Sequence, residues 1–336
     1  MNRQINILNT ITFGRIWNFF LLNVSFYLSR IVKRPIHWGS PIAISIEPTT
    51  ACNLKCPQCP SGLRQFTRPT GNLKPEVNTQ ILNQLGKQLQ YINYYFQGEP
   101  FINPQFLDFV KQARQKNIYV LTSTNAHFID VKIAKNIITS GLNELIVSID
   151  GTTQQTYSNY RVEGSLSKVL EGVKNIVNTK KKLNSNTPIV TLQFLVTKQN
   201  EHQIDDVKAL QKSLGADRLN LKTIQVYDYK KGNPLLPSNE RYSRYKKDKS
   251  GEYSLKNKMS NHCWRMWSTC VFTWDGKIVP CCFDKDAQHQ MGNLKINDFK
   301  SIWKSDVYQK FRQNILKNRK EIDICSNCSE GSKIWI

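Results

Sequence analysis

Three cysteines, Cys52, Cys56 and Cys59, follow the apolar run Ala43 to Ile46 in the segment CNLKCPQC, and their C-x3-C-x2-C spacing constrains this chain more than any other feature. Three thiolates within eight residues can hold three corners of a [4Fe-4S] cube and leave the fourth iron free to bind a small molecule. A structural zinc site normally closes on four ligands drawn from two nearby pairs. No fourth Cys or His lies near, and the closest histidines, His37 and His127, have no partner at zinc-knuckle spacing. A disulfide framework fits less well. The cysteine count of nine is odd, the chain is far longer than disulfide-stapled scaffolds, and no cleavable signal peptide is apparent, so a reducing, cytoplasmic compartment is expected.

At 336 residues the chain calls for one large domain plus a smaller one, and it has no run of about 20 apolar residues that would span a bilayer. The net charge of +22 could attract nucleic acid, an anionic membrane surface or an acidic substrate. Nucleic acid is not expected, because the lysines are spread along the chain, with local clusters at Lys180 to Lys182 and between Lys230 and Lys258, and no RNA-binding motif accompanies them. A solvated lysine-rich surface is the plainer reading.

Within residues 14–34, Trp17, Phe20, Leu21, Val24, Leu28 and Ile31 recur at the spacing of one helix face, with Arg30, Lys33 and Arg34 at the end. The expected reading is a helix packed across the bottom of the following domain; the alternative is an interfacial helix on an anionic membrane. From Pro41 to about Thr223, short β-rich runs alternate with helical patterns, the α/β signature. Strands are expected at 43–46, 91–96, 119–123, 144–149, 189–196 and 218–223, with helices near 76–89, 104–116, 130–140, 166–182 and 202–214. Six such repeats make three quarters of a TIM-type barrel, whose functional residues sit at the C-terminal ends of the strands.

At the cysteine loop the chain resembles the radical S-adenosylmethionine (SAM) superfamily, whose members place such a triad after the first barrel strand. The resemblance implies an open, partial (β/α)6 barrel, a [4Fe-4S] cluster on Cys52, Cys56 and Cys59, and SAM at its open iron. It also implies reductive cleavage of SAM to a 5′-deoxyadenosyl radical, with an external electron donor such as flavodoxin or ferredoxin. The segment QGEP, Gln97 to Pro100, occupies the position of the family's GGE motif, with Gln97 replacing the first glycine. By resemblance Glu99 and the backbone at Gly98 bind the SAM amino group. Polar residues follow the next strands, and the resemblance makes Ser123, Asn125, Ser148 and Arg161 further SAM contacts; the alternative is that they cap helices or make turns. Gln58 stands where many members carry an aromatic residue against adenine.

Residues 228–260 are polar, charged and turn-rich, and read as a linker. Beyond them lie Cys263, Cys270, Cys281, Cys282, Cys325 and Cys328. Asp275-Gly276 marks the tip of a hairpin between Cys263 and Cys281, and helical residues 300–316 return the chain to Cys325-x2-Cys328. Four such thiolates suit zinc or a second [4Fe-4S] cube. The segment resembles the SPASM and Twitch extensions of radical SAM enzymes. It lacks the C-x2-C-x5-C-x3-C run of the two-cluster type, so the resemblance implies one auxiliary cluster on Cys263, Cys281, Cys325 and Cys328, with zinc as the alternative metal. Cys282 replaces Cys281 if the hairpin register differs, and Cys270 is expected to be a small buried hydrophobe.

The expected layout is an amphipathic helical segment (1–40), a barrel core (41–227), a polar linker (228–260) and an auxiliary-cluster domain (261–336). The expected chemistry is hydrogen abstraction followed by electron transfer to the auxiliary cluster, a net two-electron oxidation. A small-molecule or glycan alcohol is the first substrate class, and a peptide or protein side chain is the alternative. The lack of a winged-helix peptide-binding domain before the barrel leans toward the former. A non-catalytic iron–sulfur carrier is the alternative of another class. Cytoplasmic location, with the N-terminal helix against the inner membrane face as a second reading, completes the expectations.

Overall fold

Consecutive parallel strands need a crossover of a dozen or more residues, which a helix packed on the sheet provides, and this chain repeats that unit. The computed structural model describes residues 3–330. Strands β1 (Ala43–Ile46), β2 (Tyr91–Asn93), β3 (Tyr119–Thr124), β4 (Glu144–Ser148), β5 (Ile189–Val196) and β6 (Arg218–Thr223) run parallel in sequence order. Helices Pro75–Leu85, Phe106–Gln115, Val131–Thr139, Leu166–Lys182 and Ile204–Leu214 cross between them. The result is the partial TIM-type barrel. Strand β2 ends earlier than expected: β1 stops at Ile46, and although the Tyr94 N–H still donates to the Leu121 carbonyl at 2.9 Å, residues 94–96 leave the ladder.

Alternate residues of each strand face opposite sides of the sheet. Ile44, Ile46, Val120, Leu145, Val147, Leu192 and Phe194 join the helices in the main core. The opposite face, which lines the barrel interior, carries polar residues. Ser148, Gln193 and Asn220 are register partners across β4, β5 and β6, and Ser45 pairs with Asn93 across β1 and β2. A closed TIM barrel fills this space with layers of branched apolar side chains; here polar residues share it with Leu121, Ile146, Leu195 and Val271.

Strands β7 (Tyr245–Lys247) and β8 (Tyr253–Leu255) form a separate hairpin inside the segment expected to be a linker. Tyr245 is 1% exposed, and with Leu235, Leu236, Ile224 and Val226 it packs in a second apolar cluster that includes Leu54 and Cys56. The correction has a simple cause: a few apolar residues at wide intervals, diluted by lysines, gather into a small core against the cysteine loop. Then β9 (Thr269–Phe272) adds to the barrel sheet parallel to β1, and β10 (Lys277–Val279) and β11 (Gly292–Asn293) extend it antiparallel. The hairpin turn at Gly276 has φ +85°, which glycine adopts without strain.

The long N-terminal helix, Phe13–Val32, lies at the N-terminal ends of the strands but presents the face opposite to the expected one. Its buried residues are Arg15, Asn18, Leu22, Ser25, Phe26 and Ser29. Arg15 donates to the carbonyls of Gly86, Lys87, Lys116 and Asn117 at 2.7–3.3 Å, placing a cation at the C-terminal ends of two crossover helices, where carbonyls are left over and the helix dipole is negative. The Asn18 amide exchanges 2.8 Å hydrogen bonds with the Ser40 backbone, and Ser29 does the same with Ile36. Backbone groups at the barrel bottom, with Leu22 and Phe26 packed into the main core beside them, thus select this face. Trp17 and Phe20 of the expected face are about half exposed, and Ile31 is 76% exposed.

Candidate active site

The cysteine loop begins directly after β1 and folds back on itself. Cys59 starts the short helix Pro60–Leu63, and a side chain at Gly62 would meet the Cys56 nitrogen at 2.6 Å. Cys56 is buried, and Cys52 and Cys59 are partly buried. Burial pushes the Cys52 thiol up to about 11 and raises Cys56 as well, so metal binding here must displace protons.

The loops after β2, β3 and β4 close around these thiols. Gly98 has φ +74° and sits so close that a Cβ would lie 2.2 Å from the Thr49 carbonyl. Its N–H donates to Ser61 Oγ, and the Glu99 N–H donates to the Ala51 carbonyl, each at 2.8 Å. Glu99 is 2% exposed. Its carboxylate accepts from Thr124 Oγ1 and the Asn125 N–H, both at 2.7 Å. Burial nevertheless pushes it up to about 7, because these hydrogen bonds and the charge of Arg161 do not make up for the lost hydration. Asn125 Nδ2 lies 4.0 Å from Cys52 Sγ, and Gln97 Oε1 lies 3.9 Å from Cys59 Sγ. Arg161 is held by Asp150 at 2.5 Å and reaches Cys56 Sγ at 3.6 Å. Burial works against its charge, but Asp150 and Cys56 more than offset this and raise its pKa.

The structure therefore brings Gly98, Glu99, Asn125 and Arg161 to the three cysteines. Ser123 and Ser148 stand at the ends of β3 and β4 on the interior face, away from the hydrogen bonds that join the loops. Gln193 and Asn220 share that face and were missed; the signal for them was the polar member of each alternating pair in β5 and β6. Buried Gln58 Oε1 and Asn93 Oδ1 find no hydrogen-bond partner among the described residues. A buried carboxylate that makes no salt bridge among the described residues, orphaned amide oxygens and grouped thiols fit a cationic amino-acid ligand beside an iron–sulfur cluster.

At the other end of the chain Cys263, Cys281, Cys325 and Cys328 line one cavity with Phe311 and Ile315. Burial pushes Cys325 up to about 12. Arg319 donates to Cys328 Sγ at 3.2 Å, and Arg265 Nη1 lies 3.8 Å from Cys282 Sγ. Two guanidinium groups beside the thiols suit a cluster whose four thiolates leave it net negative. Among the described residues no three His, Cys, Asp or Glu side chains converge on a single ion; a cube distributes its ligands over separate irons and needs no such convergence. Cys270 is fully buried in β9, where burial raises its thiol far above the usual range.

Two family models match the chain: the radical SAM superfamily over residues 46–210 and the SPASM iron–sulfur cluster-binding domain over 263–329. The chain belongs to the SPASM-containing radical SAM enzymes. Such an enzyme uses SAM and a [4Fe-4S] cluster, and its SPASM domain carries auxiliary iron–sulfur chemistry, which sets zinc aside. The tungsten-containing aldehyde ferredoxin oxidoreductase cofactor-modifying protein of Pyrococcus furiosus is 23% identical over 312 residues, covering 84% of this chain and 86% of that protein. Mycofactocin maturase MftC of Mycobacterium ulcerans is 25% identical over 313 residues, 86% of this chain and 80% of that one. The crystal structure of Streptococcus suis SuiB bound to precursor peptide SuiA aligns with a TM-score of 0.60 at 17% identity, over 81% of this chain and 66% of that one, a likeness of fold.

Proposed function

We propose that the chain oxidises a hydroxylated small molecule or glycan by two electrons. Cys52, Cys56 and Cys59 would hold the SAM-binding cluster, and Cys263, Cys281, Cys325 and Cys328 one auxiliary cluster suited to one-electron transfer. Bound together, the first cluster and SAM supply a carbon radical able to remove hydrogen from an unactivated C–H bond. The chain's own part is positioning. Glu99, ionised, would take the SAM amino group against the Gly98 backbone. Asp150 steers Arg161, which with Asn125, Ser123 and Ser148 would supply the remaining polar contacts. The hairpin 245–255 and the apolar cluster around Leu54 keep water from one side of the thiols.

The observation that carries the substrate class is the polar row of the interior face, where Ser148, Gln193 and Asn220 are register partners across three strands. Hydroxyl-rich substrates satisfy such groups; apolar ones would strand them. Peptide modification is the second reading, favoured by a structural neighbour that binds a precursor peptide. We also take the enzyme to work in the cytoplasm with a flavodoxin- or ferredoxin-type donor, its N-terminal helix against the inner membrane face.

The test is anaerobic reconstitution, iron counting and dithionite-dependent release of 5′-deoxyadenosine, followed by mass spectrometry of candidate substrates. About eight irons per chain and a loss of two hydrogens from a polyol or glycan support the first reading. The same change, or a crosslink, in a peptide supports the second. Failure to cleave SAM returns the protein to a non-catalytic carrier.

A further inference from the structure

No Asp or Glu occurs before Glu47, whereas Arg30, Lys33 and Arg34 close the N-terminal helix. That helix turns Arg15, Asn18, Ser25 and Ser29 inward together with Leu22 and Phe26, and Phe13, Ile16, Trp17, Phe20, Tyr27 and Ile31 are 49–83% exposed on the outward side. Apart from the neighbours Ile16 and Trp17, successive members lie three, four or seven residues apart, so they form one stripe along about 30 Å of helix. Trp17 and Phe20 stack on each other at 5.3 Å in the middle of it. Beside the basic end, a cavity of about 490 Å³ is lined by Arg30, Lys33, His262 and Lys317.

We infer that this stripe docks the enzyme on an anionic lipid bilayer with the barrel bottom down, lipid phosphates entering the basic cavity and the cysteine loop facing away from the membrane. The inference rests on the peripheral-membrane reading above and adds the docking face, the headgroup site and the orientation. Apolar residues with tryptophan at the interface and cations at the rim are what an interfacial helix needs. The helix cannot turn its stripe inward, because Arg15, Asn18 and Ser29 are tied to backbone at the barrel bottom. Nor does it cross the bilayer: among the described residues no helix is long and apolar enough. A second copy is the poorer occupant. Each copy carries +22 and offers no acidic residue in its first 46 to face the other's Arg30, Lys33 and Arg34.

The orientation follows from the strands. The helix contacts Gly86, Lys116 and Ile36, which precede β2, β3 and β1, while the cysteine loop follows β1. At about 3.3 Å per residue, strands of three to eight residues separate the two ends by roughly 10–26 Å. The reactive carbon of a substrate must therefore lie in its water-exposed part, beyond the headgroups.

Vesicle cosedimentation of the full chain tests this, comparing pure phosphatidylcholine with mixtures containing phosphatidylglycerol. The expected result is binding to the anionic vesicles only, weakened at least about tenfold by Trp17→Ser with Phe20→Ser at unchanged melting temperature. Arg30→Gln with Lys33→Gln should weaken it most at low salt, the difference from the unaltered chain shrinking as salt rises. Lysine acylation read by mass spectrometry should find Lys33 and Lys317 shielded by vesicles and Lys198 and Lys222 open. Binding to neither vesicle overturns the membrane reading itself. Binding that survives Trp17→Ser with Phe20→Ser, or that shields Lys198 and Lys222 instead, overturns the docking face and keeps the membrane. A lipid-free dimer that these substitutions split into monomers gives the stripe to a second copy.

Discussion

The two cysteine groups differ in what surrounds them. At the barrel, three thiols lie among amide oxygens and a buried carboxylate, with a single guanidinium, that of Arg161, anchored on Asp150 and 3.6 Å from Cys56 Sγ. At the auxiliary domain, four thiols line a cavity walled by Phe311 and Ile315, with guanidinium groups close to sulfur. The first environment keeps a buried carboxylate with no salt bridge among the described residues and retains unmatched amide oxygens, so it is suited to a charged ligand. The second already holds its countercharge, so it is suited to storing an electron. The two cysteine groups thus differ in local chemistry as well as in position, as the proposed division between radical generation and electron acceptance requires.

The sharpest way to break this comparison is Cys56→Ala, which should abolish 5′-deoxyadenosine formation and remove about half of the iron, read by product assay and metal count. Next comes Glu99→Gln, which keeps the hydrogen-bonding shape but removes the charge; SAM affinity measured by calorimetry should fall about ten- to a hundredfold while iron content stays. Its pH behaviour is specific. Between its ordinary 4.5 and about 7, the folded chain keeps on Glu99 a proton that the unfolded chain has released, so stability without SAM falls as pH rises through that window. A bound amino group favours the ionised form, so SAM affinity should rise over the same window and level off above it. Glu99→Gln should flatten both profiles.

Cys281→Ser should remove auxiliary iron and substrate oxidation while SAM cleavage persists, and Cys282→Ser should do neither; the reverse assigns the ligand to Cys282. Arg319→Met should make the auxiliary cluster harder to reduce, because a cation beside sulfur favours the added electron; a redox titration followed by electron paramagnetic resonance reads the negative shift. The smallest effect belongs to Tyr245→Phe. Tyr245 Oη donates to Asn327 Oδ1 at 2.9 Å, next to Cys328, from a hairpin that packs on the other cysteine loop. Its loss should cost about 1 kcal/mol in denaturant unfolding.

The barrel was legible because parallel strands buried by helices read as short apolar runs between helical periods. The triad was legible from spacing alone. The N-terminal helix was not: its period gave the apolar face correctly, but which face packs depends on distant carbonyls that only the assembled barrel bottom presents to Arg15, Asn18 and Ser29. The segment 228–260 was hidden by its lysines, since Tyr229, Leu235, Tyr245 and Tyr253 are too sparse for any period. Nor could spacing reveal that β9 pairs with β1, because parallel pairing between distant residues leaves no local pattern.

That last pairing reaches into how the protein is made. Ala43 is partnered by Thr269 and Ile46 by Phe272, so during synthesis the first barrel strand keeps one edge bare until most of the chain has left the ribosome. Such non-local pairing folds slowly and leaves a sticky edge for other chains to find. Removing the auxiliary segment to obtain a smaller barrel would make that exposure permanent, and poor yield of such a fragment would reflect its missing strand before any loss of metal.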